Sequence, residues 1–197
     1  MKEIVIVLLD RFADWEAAFL APALRGGVMP GHPGYCEVKY MTPDGGPATS
    51  LGGLRMTPDY AADRLPAQCA GVVLAGGMDW DKPEAEKIAG IVEEARRRGL
   101  PVGAICNAVS FLAAHGFLNE VRHTGNTVEI LQKWGGDRYT GAARYEERQA
   151  VRDGGMVTAN GTGYLEFSRE YLLALGADEP EAIAAWYEFS KHGIYKQ

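Results

Sequence analysis

The chain of 197 residues has few cysteines, and the three present are not spaced to work together. Cys36, Cys69 and Cys106 are far apart, odd in number and outside any C-x-x-C pair, which argues against a disulfide framework and against a zinc site. A reduced, cytoplasmic protein with no metal and no other cofactor is the resulting expectation. Positive charge is also scarce: 20 Lys and Arg against 26 Asp and Glu leave a net charge of -6. With no basic block or stripe to neutralise a run of phosphates, nucleic acid is not an expected partner. No apolar run approaches the ~20 residues of a membrane span, so no membrane partner is expected either. The early run IVIVLL meets Asp10 and Arg11 within a few residues and carries no small-residue cleavage pattern, so it reads as a buried strand. Internal repeats and low-complexity tracts are missing. A single domain over 1–197 is the expectation.

What is present alternates. Apolar runs of strand type at 4–9, 36–41, 70–77 and 102–105 are interleaved with helical patterns at 15–25 and 84–99. Strands 4–9, 71–75 and 102–105 are almost continuously apolar, as parallel strands covered on both faces must be. Helix 84–99 sets Ile88, Ile91, Val92 and Ala95 on one face and its charges on the other, with Gly99 and Pro101 as the stop. The stretch 142–160 reads as two or three short strands around the turn Asp153-Gly154-Gly155. Two helices follow: one is closed by Gly176, and the other has Asp178 as a candidate N-cap and Pro180 in its first turn. The Gly- and Pro-rich segments 25–34 and 43–53 read as surface loops.

Three places carry chemistry. In PVGAICNAVSFLAAHG a buried strand turns directly into a helix, and Cys106 and Asn107 stand at the corner. A cysteine in apolar surroundings is ordinarily a small packed hydrophobe. The alternative is a thiol held where helix N–H groups stabilise a thiolate or an oxyanion, the logic of a nucleophile elbow. In VVLAGGMDW, Gly76 and Gly77 end a strand where open parallel sheets place binding crevices. They serve either as a turn or as backbone donors brought close to a reacting atom. Asp79 and Trp80 follow and are candidate pocket residues, with packing as the other role for the Trp. In LLDRFADWEAAFL, Glu16 begins a helix after the first strand, either as a dipole complement or as an acid beside the sulfur.

Taken in order, these segments resemble the ThiJ/PfpI superfamily, which spans deglycases, intracellular peptidase- or amidase-like proteins and class I glutamine amidotransferase-like domains. The resemblance extends over nearly the whole chain and includes H-T-G-N at 123–126 and VTANGTGYLEFSRE at 157–170. It implies a flavodoxin-like three-layer α/β/α sandwich with a mostly parallel sheet and Cys106 as the nucleophile. It further implies Glu16 as acidic partner, oxyanion donors from the backbone of Gly77 and Asn107, and a homodimer. His123 matches a histidine that assists proton transfer in deglycase- and glyoxalase-like members; its other reading is a loop histidine bonded to backbone. In peptidase-like members a histidine directly follows the nucleophile. Here Asn107 does, so a protease triad is not expected.

Three functions compete on this reading. The first is a cysteine-dependent hydrolase or lyase for small carbonyl or amide compounds, glyoxalase-, deglycase- or amidase-like, with Glu16 protonated by burial and donating to sulfur. The second is a redox sensor or chaperone-like stress protein, because an accessible thiolate is also what peroxide oxidises. The third is a glutamine amidotransferase-like protein. That chemistry needs a late His–Glu pair, for which His192 with Glu166 or Glu170 offers no close match.

Overall fold

The computed structural model describes residues 1–193. Five parallel strands form its centre: β1 (Glu3–Val7), β2 (Glu37–Thr42), β6 (Cys69–Leu74), β7 (Val102–Ile105) and β9 (Met156–Ala159). With the two-residue edge strand β5 (Tyr60–Ala61) and β8 (Ala150–Asp153), the order across the sheet is β5-β2-β1-β6-β7-β9-β8. Only β8 runs antiparallel, pairing Asp153 with Met156 across the Gly154-Gly155 turn. A separate antiparallel pair joins β3 (Ala48–Thr49), inside the segment 43–53 read as a loop, to β4 (Arg55–Met56) just beyond it.

Strand alternation sends successive side chains to opposite faces, and both faces are covered. Val5, Val7 and Leu9 pack with α3 (Glu86–Arg97), α4 (Asn107–Ala114) and α5 (Val128–Gly135). Ile4, Ile6 and Leu8 pack with α1 (Asp14–Ala18), α2 (Leu20–Gly26), α6 (Tyr164–Leu175) and α7 (Pro180–His192). The expected α/β sandwich with a mostly parallel sheet is what forms. Two glycines bring α6 unusually close to the sheet. A Cβ on Gly103 would lie 2.8 Å from both the Phe167 and Tyr171 rings, and one on Gly71 2.5 Å from the Tyr171 hydroxyl. The buried Tyr171 hydroxyl donates to Val72 O at 3.0 Å.

Some local expectations change. The helix expected over 15–25 is two short helices meeting at Phe19, and Cys36 lies just outside β2. Of the strands expected over 142–160, the first part is a 3-10 turn at Ala142–Arg144, and β9 belongs to the parallel core. Asp178 is not the N-cap of α7. Glu179 is, with Pro180 as first helical residue, because the Asp178 carboxylate is taken by His32 Nδ1 at 2.7 Å and by Glu179 N–H. Helix α5 was not anticipated; Thr127 caps it by accepting from Ile130 N–H at 3.2 Å. Among the described residues no helix is long and apolar enough to cross a membrane.

Candidate active site

The carboxyl ends of β1, β6 and β7 lie side by side, Val7 opposite Leu74 and Leu74 opposite Ala104. The chain leaves β1 toward β2 on one side, and β6 sits on the other. This is the switch point at which open α/β sheets bind ligands. From β1 comes Glu16 in the first turn of α1, from β6 Gly76 and Gly77, and from β7 Cys106.

Cys106 is the residue before α4, with φ 59° and ψ -130°. An L-residue held there costs about 1–3 kcal/mol, so the surroundings must impose it. They do so from both sides: Cys106 N–H donates to Ala159 O at 3.0 Å, and its carbonyl accepts from Val109 N–H at 3.0 Å. The thiol thereby projects at the helix N-terminus, partly accessible, while Cys36 and Cys69 are buried.

Glu16 is fully buried. Its Oε2 accepts from Gly76 N–H at 2.7 Å, and Oε1 has no hydrogen-bond partner of its own. A Cβ placed on Gly161 would lie 3.0 Å from Cys106 Sγ and 3.4 Å from Glu16 Oε1, so these two atoms flank the same glycine. Gly76 is required here, because a Cβ on it would lie 2.2 Å from Glu16 Oε2 and 2.6 Å from Cys106 Cβ. Burial raises the Glu16 carboxyl to about 7, against weaker opposing effects of the Gly76 N–H and the Cys106 thiol. The thiol is pushed up by burial and then by the Glu16 charge, while Asn126 and the backbone of Asn107 pull it down. A carboxyl free at one oxygen and protonated near neutrality can donate toward sulfur.

The turn after β6 lies against the β1–α1 loop. Ala13 N–H donates to Gly76 O at 2.9 Å and Met78 N–H to Arg11 O at 3.2 Å, which leaves the Gly77 N–H outside this pairing. A Cβ on Gly77 would lie 2.6 Å from Arg11 O. The Asn107 side chain donates from Nδ2 to Gly77 O at 2.8 Å, tying the elbow to the turn.

Several expected site residues lie elsewhere. His123 does belong to the 123–126 segment, yet it is fully buried. One ring nitrogen bonds the Tyr139 hydroxyl at 2.6 Å and the other Val121 O at 2.8 Å, so neither is left for Cys106. Burial lowers its proton affinity. The backbone explains the placement: His123 bridges Tyr145 in strand fashion, which turns the ring inward, and the chain reaches the elbow three residues later. Trp80 is also core and not pocket. It is 2% exposed, donates from Nε1 to Ala75 O at 2.8 Å and packs on Phe111. Asp79 accepts from Arg11 Nε at 3.0 Å and lines a different cleft with Asp10, Asp44 and Lys82. His192 pairs with Glu188 on the exposed side of α7, and Glu166 with Lys191 and Tyr187; none of these contacts involves the elbow.

Three residues that sequence reasoning passed over complete the site. Asn126 Nδ2 lies 3.4 Å from Cys106 Sγ, and Gly161 N–H donates to Asn126 Oδ1 at 2.9 Å. Trp15 Nε1 donates to Gly161 O at 3.1 Å. Both backbone groups of Gly161 are thus gripped, and the glycine is pressed onto the thiol. No signal in the sequence pattern marked Asn126, which precedes the Thr127 cap of a helix that the pattern did not reveal. Asn126 also lines an open polar cleft of about 440 Å³ with Thr127, Glu129, Arg148, Gln149 and Asn160. Among the described residues no group of three or more His, Cys, Asp or Glu side chains could hold a metal ion.

Comparison with known proteins identifies the family of the chain. The chain is 34% identical over 196 residues to the uncharacterized protease YdeA of Bacillus subtilis (strain 168), covering 99% of this chain and 94% of that protein. A crystal structure of a DJ-1 superfamily protein from Agrobacterium tumefaciens superposes with a TM-score of 0.86 at 40% identity, covering 98% of this chain and 100% of that one. A thiJ/pfpI family protein from Bacillus anthracis gives a TM-score of 0.89 at 29% identity, covering 98% and 92%. The DJ-1/PfpI family matches over residues 2–174. The chain therefore belongs to the DJ-1/PfpI family.

Proposed function

We propose that the protein is a cysteine-dependent hydrolase or lyase acting on small carbonyl or amide compounds. The observation that carries this reading is the buried Glu16, with one carboxyl oxygen free of any partner, beside a thiol at a strained elbow. As the thiol proton passes to the Glu16 carboxylate, the sulfur attacks the carbonyl carbon and the C=O electron pair moves to oxygen. The N–H groups of Gly77 and Asn107 are the donors available to that oxyanion. The Glu16 proton then passes to it, leaving a neutral tetrahedral adduct and a Glu16 carboxylate. The curated relative bears a protease name. Here Asn107 follows the nucleophile and both nitrogens of His123 are engaged, so no imidazole is at hand to protonate a peptide leaving group. This favours addition to small carbonyl compounds over cleavage of peptides.

The test is turnover of glyoxal and of a small activated amide by wild type and Cys106→Ala. Turnover that falls at least ~100-fold in Cys106→Ala supports the reading. Stoichiometric oxidation of Cys106 by mild peroxide with no turnover of either compound overturns it in favour of a redox sensor.

A further inference from the structure

The orientation of two side-chain amides at the elbow is determined by their fixed neighbours. Asn107 must aim Nδ2 at the Gly77 carbonyl, 2.8 Å away, so its Oδ1 faces Asn126. Asn126 must aim Oδ1 at the Gly161 N–H, 2.9 Å away, so its Nδ2 faces Asn107 Oδ1 at 3.5 Å and Cys106 Sγ at 3.4 Å. Neither amide can flip without setting a donor against a donor or an acceptor against an acceptor. The sulfur is therefore offered an N–H by Asn126 on one side and faces the Glu16 carboxyl on the other. Glu16, from α1, is the titratable group acting on the thiol; the segments at 76–77, 107, 126 and 161 contribute only backbone groups and amides.

We propose that Asn126 is a positioning residue that stabilises the Cys106 thiolate when it forms, by donating to the sulfur. Because an amide cannot accept a proton, Glu16 alone then takes and returns the thiol proton. A histidine in place of Asn126 would share that traffic. The inference rests on Cys106 being the reactive group of the proposed function, and it adds how the anion is stabilised and which acid serves it. Asn126 also lines the polar cleft, so a substrate entering from that side meets the amide that orients its nucleophile.

The experiment is the pH dependence of Cys106 alkylation by iodoacetamide, read by mass spectrometry, together with thiolate ultraviolet absorbance. Asn126→Asp is the decisive variant: it is isosteric, keeps the acceptor for Gly161 N–H, and replaces the donor with a charge-bearing oxygen. Near neutral pH it is expected to alkylate at least about tenfold more slowly, with its titration moved upward. Asn126→Ala is expected to move in the same direction by less. Asn126→His is expected to add an inflection beyond those of Cys106 and Glu16. Unchanged rates and midpoints in folded Asn126→Asp overturn this inference while leaving the proposed function intact. If Cys106 of folded wild type does not alkylate at any pH at which a denatured-chain thiol does, both fall.

Discussion

Glu16 and Cys106 share one site at the carboxyl edge of the sheet: the Glu16 Oε2 accepts from the Gly76 N–H and Oε1 has no partner of its own, with both Oε1 and the thiol beside Gly161. An unpaired oxygen in a fully buried carboxyl is expensive, and protonation is the ordinary way to lower that cost. The pair is thus held in a state that water would not favour.

The stability of the protein should report this directly. Glu16 is raised from its usual 4.5 to about 7, so between these values the folded chain keeps a proton that the unfolded chain has lost. Stability therefore falls as pH rises through that window. Urea unfolding at pH 5 and pH 8 should show a loss of about 1–3 kcal/mol from this group in wild type. Glu16→Gln, which keeps an acceptor for Gly76 and cannot ionise, should lack this contribution. It should also lose most turnover, whereas full activity would remove Glu16 as the proton carrier.

Gly161→Ala should silence the thiol while sparing the fold. Gly161 does not occupy positive φ, and the atoms its Cβ would meet are Cys106 Sγ, Cys106 Cβ and Glu16 Oε1. Alkylation should slow by about tenfold or more, with thermal stability changed by less than about 1 kcal/mol. A fast thiol in this variant would mean that the 160–163 turn does not pack on the sulfur.

The elbow conformation predicts an ordering of two inactive variants. Cys106→Ala keeps a side chain at φ 59°, whereas Cys106→Gly has none to clash. Cys106→Gly should match or exceed Cys106→Ala in stability by about 1 kcal/mol, the reverse of the usual Gly–Ala order. Chemical denaturation of the two, side by side, measures it.

His123→Phe separates structure from chemistry. Removing both ring nitrogens leaves the buried Tyr139 hydroxyl without its partner and should cost about 1–3 kcal/mol. Alkylation kinetics of Cys106 should stay within about twofold of wild type. Because burial depresses the His123 pKa, its contribution in wild type is present above the usual 6.5 and is lost as pH falls below it. A large change in thiol kinetics would place His123 in the reaction.

Close packing of α6 on β7 depends on a missing side chain. Gly103→Ala puts a methyl 2.8 Å from the buried Phe167 and Tyr171 rings, which have nowhere to go. A loss of about 1–3 kcal/mol in urea unfolding is expected. Little or no loss would show that α6 can lift off the sheet.

The sequence by itself determined the parallel sheet, because IVIVLL, GVVLA and VGAI are apolar at consecutive positions and only strands covered on both faces can hide them. It also determined the elbow: an apolar strand running into an apolar helix with Cys106 between them leaves little choice of place for that residue. Gly76 was legible because it lies just past the end of β6, and Glu16 because it opens the helix that follows β1. Tertiary structure alone decided the rest. His123 and Asn126 stand three residues apart in one segment, and nothing in their order says which ring or amide turns toward the sulfur. That depends on the bridge from His123 to Tyr145 and on which partners remain unpaired around each side chain. Trp80 likewise follows a glycine turn that points at the cleft, but its ring is drawn under the sheet by a carbonyl at Ala75 and by Phe111. Strand periodicity is a local property of the chain, readable residue by residue. Hydrogen-bond partners 20 to 146 residues apart, as in Asn126 with Cys106 and Trp15 with Gly161, exist only once the sheet has brought its loops together.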